Sequence, residues 1–155
     1  MPMNSQLSTF MALSGLAAAS SHLTDARPAW IWAEDGKTLL WANPAGAAFF
    51  GVGTLAALSE LSGLGRAPAR PHIARVAASG PTERDTIDRL RFYRGLRVML
   101  LTCACRRLDL PNGSSGALIV ALDAPANAAD GEETALLDFL GGEDHVAVLY
   151  RRDGT

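Results

Sequence analysis

Apolar and polar residues change rhythm twice along this chain. Residues 5–23 are rich in Ala and Leu and read as one helix. Its larger apolar groups do not gather into one stripe. Leu7, Phe10 and Met11 lie on one side, and Leu13, Leu16 and Leu23 lie nearer the other. A helix apolar on two sides suits a place between its own domain and a partner; an Ala-rich leader that does not fold alone is the competing reading. From Trp30 the pattern becomes strand, turn, strand and helix. Trp30-Ile31-Trp32-Ala33 and Leu39-Leu40-Trp41-Ala42 flank Asp35-Gly36, a hairpin signal because Gly supplies the positive φ of such turns. Asn43 then reads as an N-cap, Pro44 suits the first helical position, and Gly51 offers a left-handed stop. Thr54 to Leu61 fits a helix of about two turns. Gly63, Gly65, Pro68 and Pro71 mark loop, and His72 to Ser79 reads as a further short helix closed by Gly80-Pro81.

From Thr86 the period is two. Thr86–Tyr93, Leu96–Leu110 and Ala117–Leu122 read as strands. A two-residue turn at Arg94-Gly95 sets Tyr93 opposite Leu96 and Leu90 opposite Met99. One face then carries Leu90, Phe92, Met99, Leu101, Cys103 and Cys105, the expected core. The other carries Arg89, Arg91, Tyr93, Val98, Leu100 and Thr102, a mixed face that the N-terminal helix is expected to cover in part. Ala124 to Thr134 has linker composition, Ala135–Leu140 reads as helix, and His145–Thr155 begins another strand. Val148-Leu149-Tyr150-Arg151-Arg152-Asp153-Gly154 echoes Trp30 to Gly36 one domain length on. The echo points to a second copy of the same unit and to a piece of a longer protein.

With 155 residues, 48% hydrophobic and 19% charged, the chain has the make-up of one globular domain plus flanking segments. A net charge of −2 provides no field for nucleic acid or anionic membrane, so neither contact is expected. The two cysteines stand two apart on a strand, poorly placed for a disulfide, which suits a reducing compartment and a cytoplasmic location. The apolar run from Phe10 to Ala19 falls short of the ~20 residues a membrane span needs. No Lys or Arg precedes Arg27, so the charged start of a signal peptide is missing.

The order strand–turn–strand, short helices, longer helix and three antiparallel strands resembles the PAS domain across about residues 28–124. The likeness is carried by the apolar strand before Asp35-Gly36, by Asn43-Pro44-Ala45 and Gly51, and by Leu101 to Leu108 with Asn112-Gly113 and Ala117-Leu118-Ile119-Val120. The closing part looks like PAS modules of multi-domain bacterial sensor histidine kinases. The resemblance implies an α+β fold: a five-stranded antiparallel sheet, short helices on one face and an N-terminal flanking helix. It divides the chain into a flanking helix (1–27), the PAS-like domain (28–124), a linker (125–134) and the start of a second PAS-like repeat (135–155). It also implies a signalling role in a two-component system, with ligand or partner binding passed to an output kinase domain. Dimerisation is expected through the helix that precedes the domain, with Leu7, Phe10 and Met11 as interface candidates. A small-molecule pocket, if the module senses, would be lined by Phe50, Ile73, Val76, Leu90, Phe92, Met99, Leu101 and Cys103. A constitutive protein–protein interaction module with the same side chains filling the space is the alternative.

The sharper chemistry is thin. PAS domains that hold flavin covalently carry a Cys on a mid-domain helix, and Gly65 to Arg70 has none, so covalent flavin is not expected. His72, at the start of the longer helix, is the haem-ligand candidate, but a lone His after Pro reads as solvated surface and haem is not expected. Cys103 and Cys105 lack a CxxC or HxH pattern, with His22 and His145 distant, so they read as buried inert thiols with no metal. Arg84, Arg89, Arg91, Arg94, Arg97, Arg106 and Arg107 crowd the closing strands, either as an anion clamp or as a solvated sheet face. Trp30, Trp32 and Trp41 suit a core, a domain contact or a planar ligand. The carboxylates form no catalytic pair, and no catalytic residue is expected.

Overall fold

The computed structural model describes residues 2–59, 68–94, 96–124 and 139–140, with side chains from residue 8 onward. Two helices open the chain, α1 (Pro2–Ser14) and α2 (Ala17–Ser20). The hairpin β1 (Ala29–Ala33) and β2 (Leu39–Ala42) follows, then α3 (Pro44–Phe49), α4 (Leu55–Ser59) and α5 (Arg70–Ser79). The strands β3 (Thr86–Arg94), β4 (Arg97–Asp109) and β5 (Ser115–Ala121) complete one antiparallel sheet in the order β2-β1-β5-β4-β3. The opening hairpin and the closing strands therefore meet at β1 and β5, which share the middle of the sheet.

Local chemistry explains most boundaries. Asn43 caps α3 by accepting the Gly46 N–H at 2.7 Å, with Pro44 in the first turn, and Gly51 follows the helix at φ 83°. The β1–β2 connection is wider than a two-residue turn because Asp35 organises it. Its carboxylate accepts the N–H groups of Lys37 and Thr38 and the Thr38 hydroxyl, all within 2.9 Å. Gly36, at φ 74°, sits so close to α5 that a Cβ would meet the Arg70 carbonyl oxygen at 2.5 Å. A bulge at Leu40 then lets Ile31 pair with Trp41 while Trp32 pairs with Leu39. Trp30 and Trp32 consequently share the face beneath α3 and α5, and Ile31 and Trp41 point to the other.

Two expectations need correction. The N-terminal helix is not continuous over 5–23: it ends at Ser14, and Leu16 is extended at ψ 133° before α2 begins. Gly15 is the weak point, since Gly disfavours helix by about 1 kcal/mol relative to Ala. Its buried stripe is Phe10, Leu13 and Ser14, at i, i+3 and i+4, so Phe10 and Leu13 share a side instead of opposing each other. The second correction concerns the β3–β4 register. Arg94 pairs with Arg97, and Leu90 faces Leu101 with Phe92 facing Met99. The shift is by two residues, an even number, so every side chain keeps the face expected of it. The segment from 125 onward, with the expected linker and second repeat, lies outside the described residues except Phe139 and Leu140.

Candidate functional site

The inner face of the sheet, beneath α3 and α5, is an aromatic layer. Trp30 lies 5.5 Å from Phe49, 5.4 Å from Phe50 and 5.3 Å from Phe92, ring centre to ring centre. Trp32 stacks near Phe92 at 6.2 Å and meets Phe50 edge-on at 6.4 Å. All eight pocket candidates belong to this side: Phe50 follows α3, Ile73 and Val76 come from α5, Leu90 and Phe92 from β3, and Met99, Leu101 and Cys103 from β4. Ile73, Phe92 and Cys103 are fully buried, Val76, Leu90 and Leu101 nearly so, and Phe50 and Met99 partly. The candidate set omitted Trp30, Trp32 and Phe49. The alternation along β1, with Trp30 and Trp32 two apart, was the signal that places both tryptophans here.

The two inner tryptophans differ in one respect. Trp30 donates its indole N–H to the Gly46 carbonyl at 3.0 Å. A Cβ on Gly46 would sit 2.9 Å from that nitrogen and 2.6 Å from the Ala29 carbonyl, which is why glycine stands there. Trp32, equally buried, has an indole N–H with no acceptor among the described residues. An unmade hydrogen bond at such a depth costs about 1–3 kcal/mol.

A polar clasp joins this layer to the N-terminal flank. Asn43 is wholly buried, and its side chain uses both ends. The amide oxygen accepts the N–H of Ala29 at 3.0 Å and of Gly46 at 2.7 Å. The amide nitrogen donates to the carbonyls of His22 (2.8 Å), Arg27 (2.9 Å) and, more weakly, Asp25 (3.3 Å). Asp25 stiffens the same bend. Burial would raise its pKa, but hydrogen bonds from the Arg27 side chain, the Arg27 N–H and His22 outweigh that and hold it at about 2. On the outer face, the Trp41 indole donates to the Ser14 hydroxyl at 2.9 Å, and Phe10 stacks on Trp41 at 6.1 Å and meets Phe139 at 5.5 Å. Phe10 is 2% exposed, so its expected place on a dimer face is corrected: it belongs to the chain's own core. Met11 is 46% exposed, and the Leu7 side chain lies outside the described residues.

The helices α1 and α2 cover only the β2–β1–β5 part of the outer face. A cleft of about 470 Å³ separates α2 from the sheet, lined by Ala17, His22, Arg27, Asp85, Arg106 and Val120 among others. Beyond it, Ile87 and Tyr93 stay exposed on either side of Arg89 and Arg91 along β3, with Val98 and Leu100 exposed across from Tyr93 and Arg91 on β4, and Leu122 also exposed. The arginine-rich strands are thus largely a solvated face. Arg106 pairs with Asp85 at 2.9 Å, Arg107 donates to the Gly80 carbonyl, and Arg94 lies over the Phe49 ring. Both thiols are buried and free, and burial raises both pKa values, that of Cys105 to about 12, with Asp88 and Asp85 adding to it. His72 is not the free surface imidazole expected of it. Its Nε2 lies 3.1 Å from the Asp88 carboxylate, and its Nδ1 accepts from Arg75 at 3.2 Å.

One five-stranded antiparallel sheet, with short helices across its inner face and flanking helices at its N-terminal side, is the arrangement that the sequence resemblance implied. The fold is PAS-like. No protein-family model matches the sequence, and no curated protein matches it. Among solved structures, it is similar to a crystallised domain of the sensory box sensor histidine kinase/response regulator from Geobacter sulfurreducens. The match is 18% identical with a TM-score of 0.47, covering 68% of this chain and 91% of that one. Among the described residues, no helix of the PAS-like chain is long and apolar enough to cross a membrane.

Proposed function

We propose that this chain is a non-catalytic sensory module of a cytoplasmic bacterial signalling protein, the output of which is a histidine kinase. A small molecule taken up by the aromatic inner layer favours one packing of α3 and α5, and the flanking helices carry the change onward. The observation that carries this reading is Trp32. A buried indole N–H without an acceptor among the described residues is a donor that a ligand oxygen or nitrogen would satisfy, among rings suited to a planar apolar body. Asn43 supports the relay, since its side chain binds the Gly46 N–H in the first turn of α3, the Ala29 N–H at the start of β1 and three carbonyls of residues 22–27. Homodimerisation through the N-terminal flank belongs to the same proposal.

A specific observation favours a second reading, a constitutive protein–protein interaction module. Ile87, Tyr93, Val98, Leu100 and Leu122 leave apolar area on the outer face beside the covered half. Native mass spectrometry and an absorbance scan of the purified chain separate the two. A non-covalently bound small molecule, released on denaturation, is the expected result. A ligand-free spectrum from repeated preparations, together with a stable dimer, overturns sensing in favour of the interaction module. A monomer at high concentration removes the dimer proposal.

A further inference from the structure

Three different ligand-type side chains converge where α5 crosses the far edge of the sheet. His72 comes from the first turn of α5, Asp88 from β3 and Cys105 from β4, and their donor atoms all lie within 4.8 Å of one another. We propose that His72, Asp88 and Cys105 form a binding site for a borderline-soft divalent transition-metal ion of the zinc class.

The geometry suits such an ion. Tetrahedral zinc with bonds of about 2.0–2.3 Å sets its ligand atoms about 3.3–3.7 Å apart; His72 Nε2 and the Asp88 carboxylate already stand 3.1 Å apart, and all three donor atoms lie within 4.8 Å, so small side-chain rotations bring the set to bonding distance. Thiolate, imidazole and carboxylate together select against magnesium and calcium, which require an all-oxygen shell. Two anionic ligands and one neutral ligand cancel the charge of a divalent ion, so the loaded site is neutral where it is half-buried. Cys105 is the closed floor of the site, at 0% exposure. The His72 and Asp88 side chains, 28% and 37% exposed, form its mouth and leave a fourth position for water.

The proton balance is simple. Arg75 can only donate, so His72 Nδ1 is the acceptor and Nε2 carries the proton toward Asp88. On metal entry Cys105 loses its thiol proton to solvent, and the imidazole proton moves from Nε2 to Nδ1. Arg75, an exposed side chain, swings away from Nδ1. The scaffold is already rigid: Ile73 is fully buried beside His72, and the Ala69 N–H donates to the Arg91 carbonyl at 3.1 Å, fixing the start of α5 to β3. The loaded ion would pin the helix to both strands.

Titration of the full, untagged chain with Co²⁺ tests this. One equivalent should give the sulfur-to-cobalt charge-transfer band of a thiolate ligand and the intense visible bands of tetrahedral cobalt, with Zn²⁺ displacing both. Cys105→Ser should abolish the charge-transfer band, and Cys103→Ser should leave it. His72→Ala and Asp88→Asn, at half-exposed positions that need not disturb folding, should each weaken binding at least about tenfold. Absence of the bands at one equivalent overturns the site. So does a charge-transfer band that survives His72→Ala and Asp88→Asn with affinity unchanged, or one that is lost with Cys103→Ser alone.

Discussion

The two faces of the sheet are built on opposite terms. The inner face is a closed layer in which Trp30, Trp32, Phe49, Phe50 and Phe92 touch one another and the aliphatic side chains of α5, β3 and β4 fill in behind. The outer face is finished only over β2, β1 and β5, where Phe10 and Ser14 cover Trp41 and Phe139 packs on Phe10, and is left bare over β3 and much of β4. The inner face holds the fold and, among the described residues, keeps one polar interaction unmade, the Trp32 N–H, whereas the outer face leaves apolar area uncovered.

Substitutions can break or sharpen that contrast. The largest effect should come from Phe92→Ala, which removes the ring common to four aromatic contacts of the inner layer. A loss of about 3–5 kcal/mol in denaturant unfolding is expected; a loss below about 1 kcal/mol would show the layer to be loose. Next comes Asn43→Ala, which orphans two buried N–H groups and the Asp25 and Arg27 carbonyls at the junction of flank and sheet, while the His22 carbonyl keeps the Asp25 N–H. It should cost about 2–4 kcal/mol and raise amide exchange in residues 22–29 before the β3–β4 strands respond.

Acid should act on the same junction, more gently. Asp25 is held at about 2 in the folded chain, below its ordinary value of 3.8, so its carboxylate contributes stability above roughly pH 4. That contribution is lost as the pH falls from about 4 through 2, and it amounts to roughly 1 kcal/mol after allowance for solvent screening. Asp25→Asn should flatten the pH dependence of unfolding in that window; an unchanged slope would mean that Arg27 and His22 do not hold the carboxylate in solution. The smallest effect belongs to the bare half. Val98→Thr with Leu100→Thr should leave unfolding free energy within about 0.5 kcal/mol, as for surface positions generally. If the same pair weakens self-association in sedimentation measurements, the exposed strands are an interface and the interaction reading gains.

The sequence announced most clearly what local chemistry decides. Asn43-Pro44 and the Asp35-Gly36 turn act within a few residues of themselves, so their roles could be read directly. The faces of β3 and β4 were also legible, and they survived a two-residue error in register because side-chain alternation depends only on parity. What long-range packing decides was hidden. Nothing around Phe10 says that Trp41 and Phe139 will enclose it, and Asn43 shows its capping role but not the three carbonyls of residues 22–27. His72 looked solitary because its neighbours Asp88 and Cys105 arrive from other elements. No spacing rule covers ligands gathered across a helix and two strands.

One further consequence follows from the neighbouring places of β1 and β5. Pro28 accepts the N–H of Ala121 at 2.8 Å, so the chain enters and leaves the sheet at the same corner. Ala29 pairs with Val120, and each later pair lies one step deeper along the ladder. A pull between the segments on either side thus acts as on a zipper. Such a pull meets the Asn43 bonds to residues 22–27 and the Leu122–Thr102 bond first, and only then the β1–β5 rungs one at a time from Pro28. The Asn43 clasp therefore stands guard over the corner where the sheet would begin to open.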